Sequence, residues 1–286
     1  MYFRTSLDPR RKGVIVMLAQ AEKGAAFRAL HEGEHAFIIP NPWDVGTARL
    51  LARLGFKALA TTSAGYAFSV GKRDHTIDRP EMMAHVSEIV SATDLPVSAD
   101  LENGFGDAPE IVAETIRLAA AAGLAGASIE DMSQPGRSIY DPEHAAERIR
   151  AAAEAARALP FAFTLTARAE NYIAGRFDLN DTIKRLQAYQ MAGADVLYAP
   201  GLTSKDDIAA LVSSVDRPVN VLMGLPGVRL SLAELSSIGV RRVSLGSGLA
   251  RAALGAFLRA AREMQEHGTF AFADEAVSSL NALFLA

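Results

Sequence analysis

The chain has 286 residues with 29 Lys and Arg against 33 Asp and Glu, a net charge of -4 that is not gathered in one block, and half of its residues are hydrophobic. Such a balance describes a folded domain with a sizeable core and gives a nucleic-acid partner no electrostatic footprint. Cysteine is absent, which excludes disulfides, thiolate metal sites and cysteine nucleophiles, and no apolar run approaches the ~18 to 20 residues of a membrane helix.

At the N-terminus, Arg10, Arg11 and Lys12 precede a short apolar stretch and Ala19-Gln20-Ala21, a weak likeness to a secretory signal. That stretch is at the short limit for a signal, and from Met17 it merges into a tract of helical period. Residues 1–24 are therefore expected to be an extension of a cytoplasmic protein, poorly ordered up to about residue 20. Beyond it, short β-branched runs alternate with longer Ala/Leu/Arg/Glu stretches. Strands are predicted at 36–40, 58–63, 96–101, 126–131, 163–168, 196–200, 219–223 and 240–246. Helices are predicted at 45–54, 80–92, 108–122, 142–157, 180–192, 204–213, 231–238 and 249–265, several of them opened by Asp, Ser or Pro.

No Pro/Gly/Ser-rich linker divides this series. Eight β/α units over residues 25–265 predict a single α/β domain, a (β/α)₈ barrel of the TIM type, whose usual length is ~250 residues. A doubly wound open sheet shares the alternation and is the rival architecture. Residues 266–286 are predicted as a helical tail in which Phe270, Phe272, Val277, Leu280, Leu283 and Phe284 are apolar. It is expected to pack on another subunit of a homo-oligomer, or else to fold over its own barrel.

In such barrels the chemistry sits at the carboxyl ends of the strands. The third predicted strand ends in Asp100-Leu101-Glu102, an i, i+2 pair that points two carboxylates to one side. Their repulsion is relieved by a cation or a shared proton. Glu130-Asp131 closes the fourth strand and Asp74 follows the second, so carboxylates from three consecutive strands can converge; any one of them alone is better explained by capping a helix or pairing with an arginine, whereas the set together points to a cation. Oxygen ligands without cysteine or paired histidine point to magnesium or manganese and not to zinc.

Arg168, followed by Glu170 and Asn171, offers a forked donor for a substrate carboxylate or phosphonate, or a salt bridge to Glu102 or Glu130. The Asn41–Asp44 and Thr61–Gly65 turns can cradle an anion or simply turn the chain. The glycine loops at 224–227 and 246–248 are similarly divided between phosphate binding and turn formation. Asn220, inside the seventh strand, joins the candidate substrate-binding residues. No lysine lies in a predicted strand, which argues against a Schiff-base aldolase, and the histidines are scattered without a ligand pair.

Taken in order, Asn41-Pro42-Trp43-Asp44, Gly71-Lys72-Arg73-Asp74, D-L-E-N-G-F-G from Asp100, I-E-D from Ile129 and A-R-A-E-N from Ala167 resemble the isocitrate lyase/phosphoenolpyruvate mutase superfamily over roughly residues 25–265. The resemblance implies a magnesium-dependent barrel that makes or breaks a C–C or P–C bond beside an α-oxo carboxylate through an enolate. It implies Asp74, Asp100, Glu102 and Glu130 as metal-site carboxylates and Arg168 as the substrate-binding arginine. It also implies Thr62, Ser63 and Ala64 as the oxyanion and carboxylate cradle, and Asp44 as part of the pocket wall. Members commonly assemble as tetramers with exchanged terminal helices, so a dimer or tetramer is expected.

One departure stands out. Isocitrate and methylisocitrate lyases carry a K-K-C-G-H loop after the fourth strand, whereas the segment here runs from Met132 to Asp141 without cysteine. Those two activities are not expected, and the lysine-and-asparagine pattern of phosphonate-forming mutases is missing as well. The expected activity is a lyase acting on a small α-oxo or 2-hydroxy di-acid, with Glu102, Glu130 or Tyr140 as acid or base. The alternatives are a 2-oxoglutarate-like acid-binding protein with reduced catalysis and a phosphonopyruvate-type hydrolase or mutase.

Overall fold

The eight β-branched runs form eight parallel strands: β1 (Phe37–Ile39), β2 (Leu59–Ala60), β3 (Val97–Asp100), β4 (Gly126–Glu130), β5 (Thr164–Arg168), β6 (Val196–Tyr198), β7 (Val219–Leu222) and β8 (Arg242–Ser244). This computed structural model describes residues 9–134, 138–224, 226–277 and 279–284, and the side chains from residue 19 onward. The strands follow the order β1-β8-β7-β6-β5-β4-β3-β2, and at the seam Ala60 N donates to Pro40 O at 3.0 Å. A parallel sheet curled until its first and second strands meet is the expected (β/α)₈ barrel, not the open-sheet rival.

Helices α1 (Pro9–Glu32), α2 (Val45–Arg53), α3 (Ser63–Ser69), α4 (Arg79–Ser91), α5 (Pro109–Ala121) and α6 (Pro142–Arg157) cover the first half. The second half has α7 (Leu179–Ala192), α8 (Lys205–Ser213), α9 (Leu232–Ser237), α10 (Gly248–His267), a 3₁₀ turn (Ala271–Glu275) and α11 (Leu280–Leu283). Asp44, Asp78, Asp141, Asp178, Ser204 and Ser231 cap six of these helices through their side chains, each cap contributing about 1 kcal/mol.

Helix α3 was not expected. Residues 61–63 read as the end of a strand, but β2 stops at Ala60, and the Thr62 side chain accepts from Gly65 N to start a helix. Helix α1 lies across the amino-terminal end of the barrel, where Gln20 donates to Ala120 O (2.8 Å) and Leu124 O (3.2 Å), and Lys23 donates to Thr93 O (3.1 Å). Phe27 inserts there against Ile39, Ala58 and Ala125.

At the other extreme of the chain, only Ala250 of the twenty residues of α10 is buried. Leu254, Phe257, Leu258, Met264, Phe270, Val277, Leu280 and Phe284 are all exposed. Among the described residues no helix is long and apolar enough to cross a membrane.

Candidate active site

Strand β3 ends at Asp100, and the chain then turns sharply, with Glu102 at φ +50° and Phe105 at φ +62°. Left-handed backbone at a non-glycine residue costs roughly 1–2 kcal/mol. Asp100 and Glu102 are therefore not a pleat-related pair; a strained turn brings the second carboxylate to the barrel mouth. Gly104 at φ +80° completes the turn, and a Cβ there would lie 3.1 Å from the Val112 side chain.

Arg148 of α6, fully buried, holds this turn. Its Nε donates to Asp107 O (3.1 Å), its Nη1 to Glu130 O (3.1 Å), and its Nη2 to Gly106 O (3.0 Å) and to Asn103 O. Charged residues on barrel helices ordinarily face solvent; Arg148 turns inward because four carbonyls of two site loops need a donor.

The parallel register sets Glu130 beside Arg168 across β4 and β5. Arg168 meets three carboxylates: Nη1 to Asp100 Oδ1 at 2.8 Å, Nη2 to Glu130 Oε2 at 3.2 Å and Nε to Glu170 Oε1 at 2.8 Å. Ser63 Oγ donates to the other oxygen of Asp100 at 2.9 Å. Burial pushes the Glu130 carboxyl well above the usual range, with Arg168 opposing. Glu170 is raised in the same way.

A second group adjoins the first. Asp74, His75 and Glu102 bring one ligand atom each to within 4.8 Å of one another. His75 Nδ1 lies 3.5 Å from Glu102 and 2.8 Å from the Gln134 amide. The contact with Glu102, against the effect of burial and helped by the Asp74 and Glu130 charges, raises the imidazole pKa to about 9. Burial raises the Glu102 carboxyl, with His75 opposing. Among the described residues, Glu102 Oε1 and Glu130 Oε1 are buried without a hydrogen-bond partner.

Asp74, His75, Asp100, Glu130, Arg168 and Glu170 line a cavity of about 410 Å³ together with Thr62, Ser63 and Ala64. Five carboxylates, counting Glu102, gather around the Arg168 guanidinium and the His75 imidazole, and Arg251 adds a second guanidinium to the cavity lining. Such an excess of negative charge, with two carboxylate oxygens unpaired, fits a hard divalent cation. His75 departs from the oxygen-only ligand set expected from the sequence.

Other expected residues lie elsewhere. Asp44 is exposed and caps α2 through a capping box with Thr47. Asp131 is consumed by Tyr189 Oη (2.5 Å), Arg185 Nη1 (3.1 Å) and Glu170 N (2.8 Å). Tyr140 does not line the cavity: its hydroxyl donates to Asp107 Oδ1 at 2.5 Å, and burial, then this bond, pushes its pKa up to about 12. Asn220 sits inside the barrel, donating to Ser244 Oγ (2.9 Å) and accepting from Arg242 Nε (2.9 Å). Of the loop after β4, Ser133 and Ser138 bond to each other, while residues 135–137, like Leu225 in the loop after β7, lie outside the described residues.

Glu170 and His75 are the site residues that the sequence marks least. Each immediately follows or nearly follows a recognised residue, Arg168 or Asp74, and that adjacency was the available signal.

Comparison with known proteins shows the family of the chain. The family profile of phosphoenolpyruvate phosphomutase matches residues 27–265. A crystal structure from Burkholderia cenocepacia J2315, described as a candidate lyase/mutase, shares 63% identity with TM-score 0.91, covering 94% of this chain and 97% of that one. Oxaloacetate decarboxylase of Chromohalobacter salexigens is 31% identical over 91% of this chain and 88% of its own. A phosphonopyruvate hydrolase solved with oxalate and Mg²⁺ aligns with TM-score 0.79 at 25% identity, over 91% and 92% of the two chains. With the barrel, the acidic mouth and a profile match over most of its length, the chain belongs to the phosphoenolpyruvate mutase/isocitrate lyase superfamily.

Proposed function

We propose that the protein is a divalent-metal-dependent lyase that cleaves a C–C bond of a small α-oxo or 2-hydroxy di-acid through an enolate. P–C cleavage of a phosphonopyruvate-like acid is the variant reading. The observation that carries this is the convergence of five carboxylates on the Arg168 guanidinium and the His75 imidazole, with Glu102 Oε1 and Glu130 Oε1 left unpaired.

Asp74, Asp100, Glu102 and Glu130, with His75 alongside, would hold magnesium or manganese. Bound there, the ion supplies positive charge to the substrate oxygen that becomes anionic as the bond breaks. Asp100 is oriented from both sides, by Ser63 and by Arg168. Two of the five N–H donors of Arg168 are taken by carboxylates, Nε by Glu170 and one on Nη1 by Asp100, and Nη2 only pairs in charge with Glu130, so both terminal nitrogens keep donor capacity for a substrate carboxylate. Thr62, Ser63 and Ala64 form the adjoining wall. Glu102 and Glu130 each keep an unpaired buried oxygen, so one of them can hold the proton that cleavage requires while the remaining carboxylates carry the metal. Tyr140 is too far committed to Asp107 for that task.

The cysteine-free loop from Met132 to Asp141 keeps isocitrate and methylisocitrate cleavage outside this reading. The exposed apolar residues of α10 and the tail support a subunit contact in a dimer or tetramer. The test is a panel of oxaloacetate, 2-hydroxy di-acids and phosphonopyruvate, with released pyruvate, glyoxylate or oxalate measured with added Mg²⁺, with Mn²⁺ and with chelator. Metal-dependent turnover of at least one member is expected. Turnover that survives chelator, or full activity in Glu130→Ala, would overturn the reading, and tight 2-oxoglutarate binding without turnover would replace it with a binding protein.

A further inference from the structure

A second cavity, of about 700 Å³, opens at the opposite end of the barrel from the acidic mouth. It lies where α1 passes the segments that lead into β5, β6 and β7. Its volume falls in the range of ~300–1,000 Å³ common to small-molecule sites. Nothing in the lyase reading uses it.

Arg28 of α1, Arg157 at the end of α6 and Arg217 before β7 line this cavity, and all three act electrostatically on one carboxylate, that of Asp195. Asp195 is partly spent already, since its Oδ2 accepts from Leu165 N at 2.8 Å. Glu32 is the other acid of the lining. Among the described residues, Arg28 and Arg217 donate no hydrogen bond, so both forks are available. Arg157 donates to Gly193 O at 3.2 Å and folds over a position where a Cβ would come within 2.2 Å of its Nη2; Gly193 at φ +109° leaves that space free.

His31, itself part of the lining, stands between the cavity and a further arginine. Arg242 is buried, and its partners are neutral: Asn220 Oδ1 (2.9 Å), Thr166 Oγ1 (3.0 Å) and His31 Nε2 (3.4 Å). A buried guanidinium without a carboxylate adds positive potential to the cavity above it. Phe161, Pro160 and Pro218 supply apolar walls beside the arginines.

We propose that this cavity binds a small organic oxyanion, a phosphate or polycarboxylate carried on a compact apolar body, at a site distinct from the acidic mouth. Guanidinium forks match the planar or tetrahedral oxygens of such groups, and the walls take the remainder.

The test uses isothermal titration calorimetry on the full chain after chelator treatment, so that the metal site does not contribute. Inorganic phosphate, tricarballylate and AMP are titrated into wild type, into an Arg28→Ala/Arg217→Ala double variant and into Asp100→Asn. Saturable one-to-one binding of at least one probe is expected, weakened at least tenfold in the double variant and unchanged in Asp100→Asn. Phosphate and AMP binding without tricarballylate would identify the phosphate class; the reverse would identify the carboxylate class. Both replaced arginines are exposed, and thermal denaturation of the double variant verifies that it is folded. No saturable binding of any probe at millimolar concentration, equal affinity in wild type and the folded double variant, or loss of binding in Asp100→Asn would overturn the proposal.

Discussion

Replacing Glu102 by Gln separates two effects that the wild-type site combines. Burial, with Asp100 and Asp74 adding to it and His75 opposing, raises the folded carboxyl above its usual range. A raised folded pKa means that stability is fully present below the ordinary carboxylate range and is lost as pH rises through the raised value, above which the ionised form is a liability. Removing a buried charge that His75 offsets only in part is worth about 1 kcal/mol here, or roughly 2–4 °C for a chain of this size. The metal-free variant is therefore expected to melt higher than metal-free wild type.

Metal reverses the order. Wild type at about 100 times the dissociation constant gains about 2.7 kcal/mol, or roughly 5–10 °C. If the lost ligand weakens binding about 100-fold, the same concentration stabilises the variant by only about 0.4 kcal/mol. Thermal denaturation of both proteins with chelator and with Mg²⁺ reads all four values. Equal metal-induced shifts in the two proteins, or a metal-free variant less stable than metal-free wild type, would refute the reasoning.

Arg168→Lys leaves buried carboxylates unpaired and is expected to cost about 3–5 kcal/mol along with turnover; urea denaturation checks it, and wild-type stability would count against the three-carboxylate arrangement. Tyr140→Phe is expected to lower stability by about 1 kcal/mol while turnover stays within about threefold, and a much larger loss in steady-state rate would return Tyr140 to the catalytic set. Burial and then Arg242 depress the His31 pKa to about 3. Its neutral form therefore contributes stability above about pH 6.5 that is lost as pH falls toward 3, at up to about 1.4 kcal/mol per pH unit. His31→Gln should flatten that slope in urea melts taken across the range; His85, lowered to about 4, titrates in the same window and keeps the flattening partial. Phe257→Asp on the exposed face of α10 is expected to reduce the mass seen in light scattering, and a monomeric wild type would remove the basis for the contact.

The barrel was legible because each strand announces itself by composition and several helices by their opening Asp, Ser or Pro. All eight strands overlap their predicted ranges, since a parallel barrel strand is buried on both faces and reads as a short continuous apolar run. Helix α3 was not, because its start depends on where β2 stops, and two residues of strand leave no periodicity to read. At the site, Asp74, Asp100, Glu130 and Arg168 were found by position at strand ends. The roles of Asp44 and Asp131 were not, because a carboxylate that caps a helix and one that lines a cavity look alike in sequence. Arg148 and Arg185 are buried on helices whose other charged residues face water, and only the loops they reach explain them.

Arg148 has a consequence for how this mouth can be altered or transplanted. The D-L-E-N-G-F-G segment does not carry its shape alone: its carbonyls at Asn103 and Gly106, and that of the adjoining Asp107, hang from a guanidinium more than forty residues later in the chain. Grafted onto another barrel without an arginine at that helix position, the segment would keep its acidic residues and lose their placement. Within this chain, Arg148 ties the loops of β3 and β4 into one piece, so the two can be expected to vary together, not as separate cassettes.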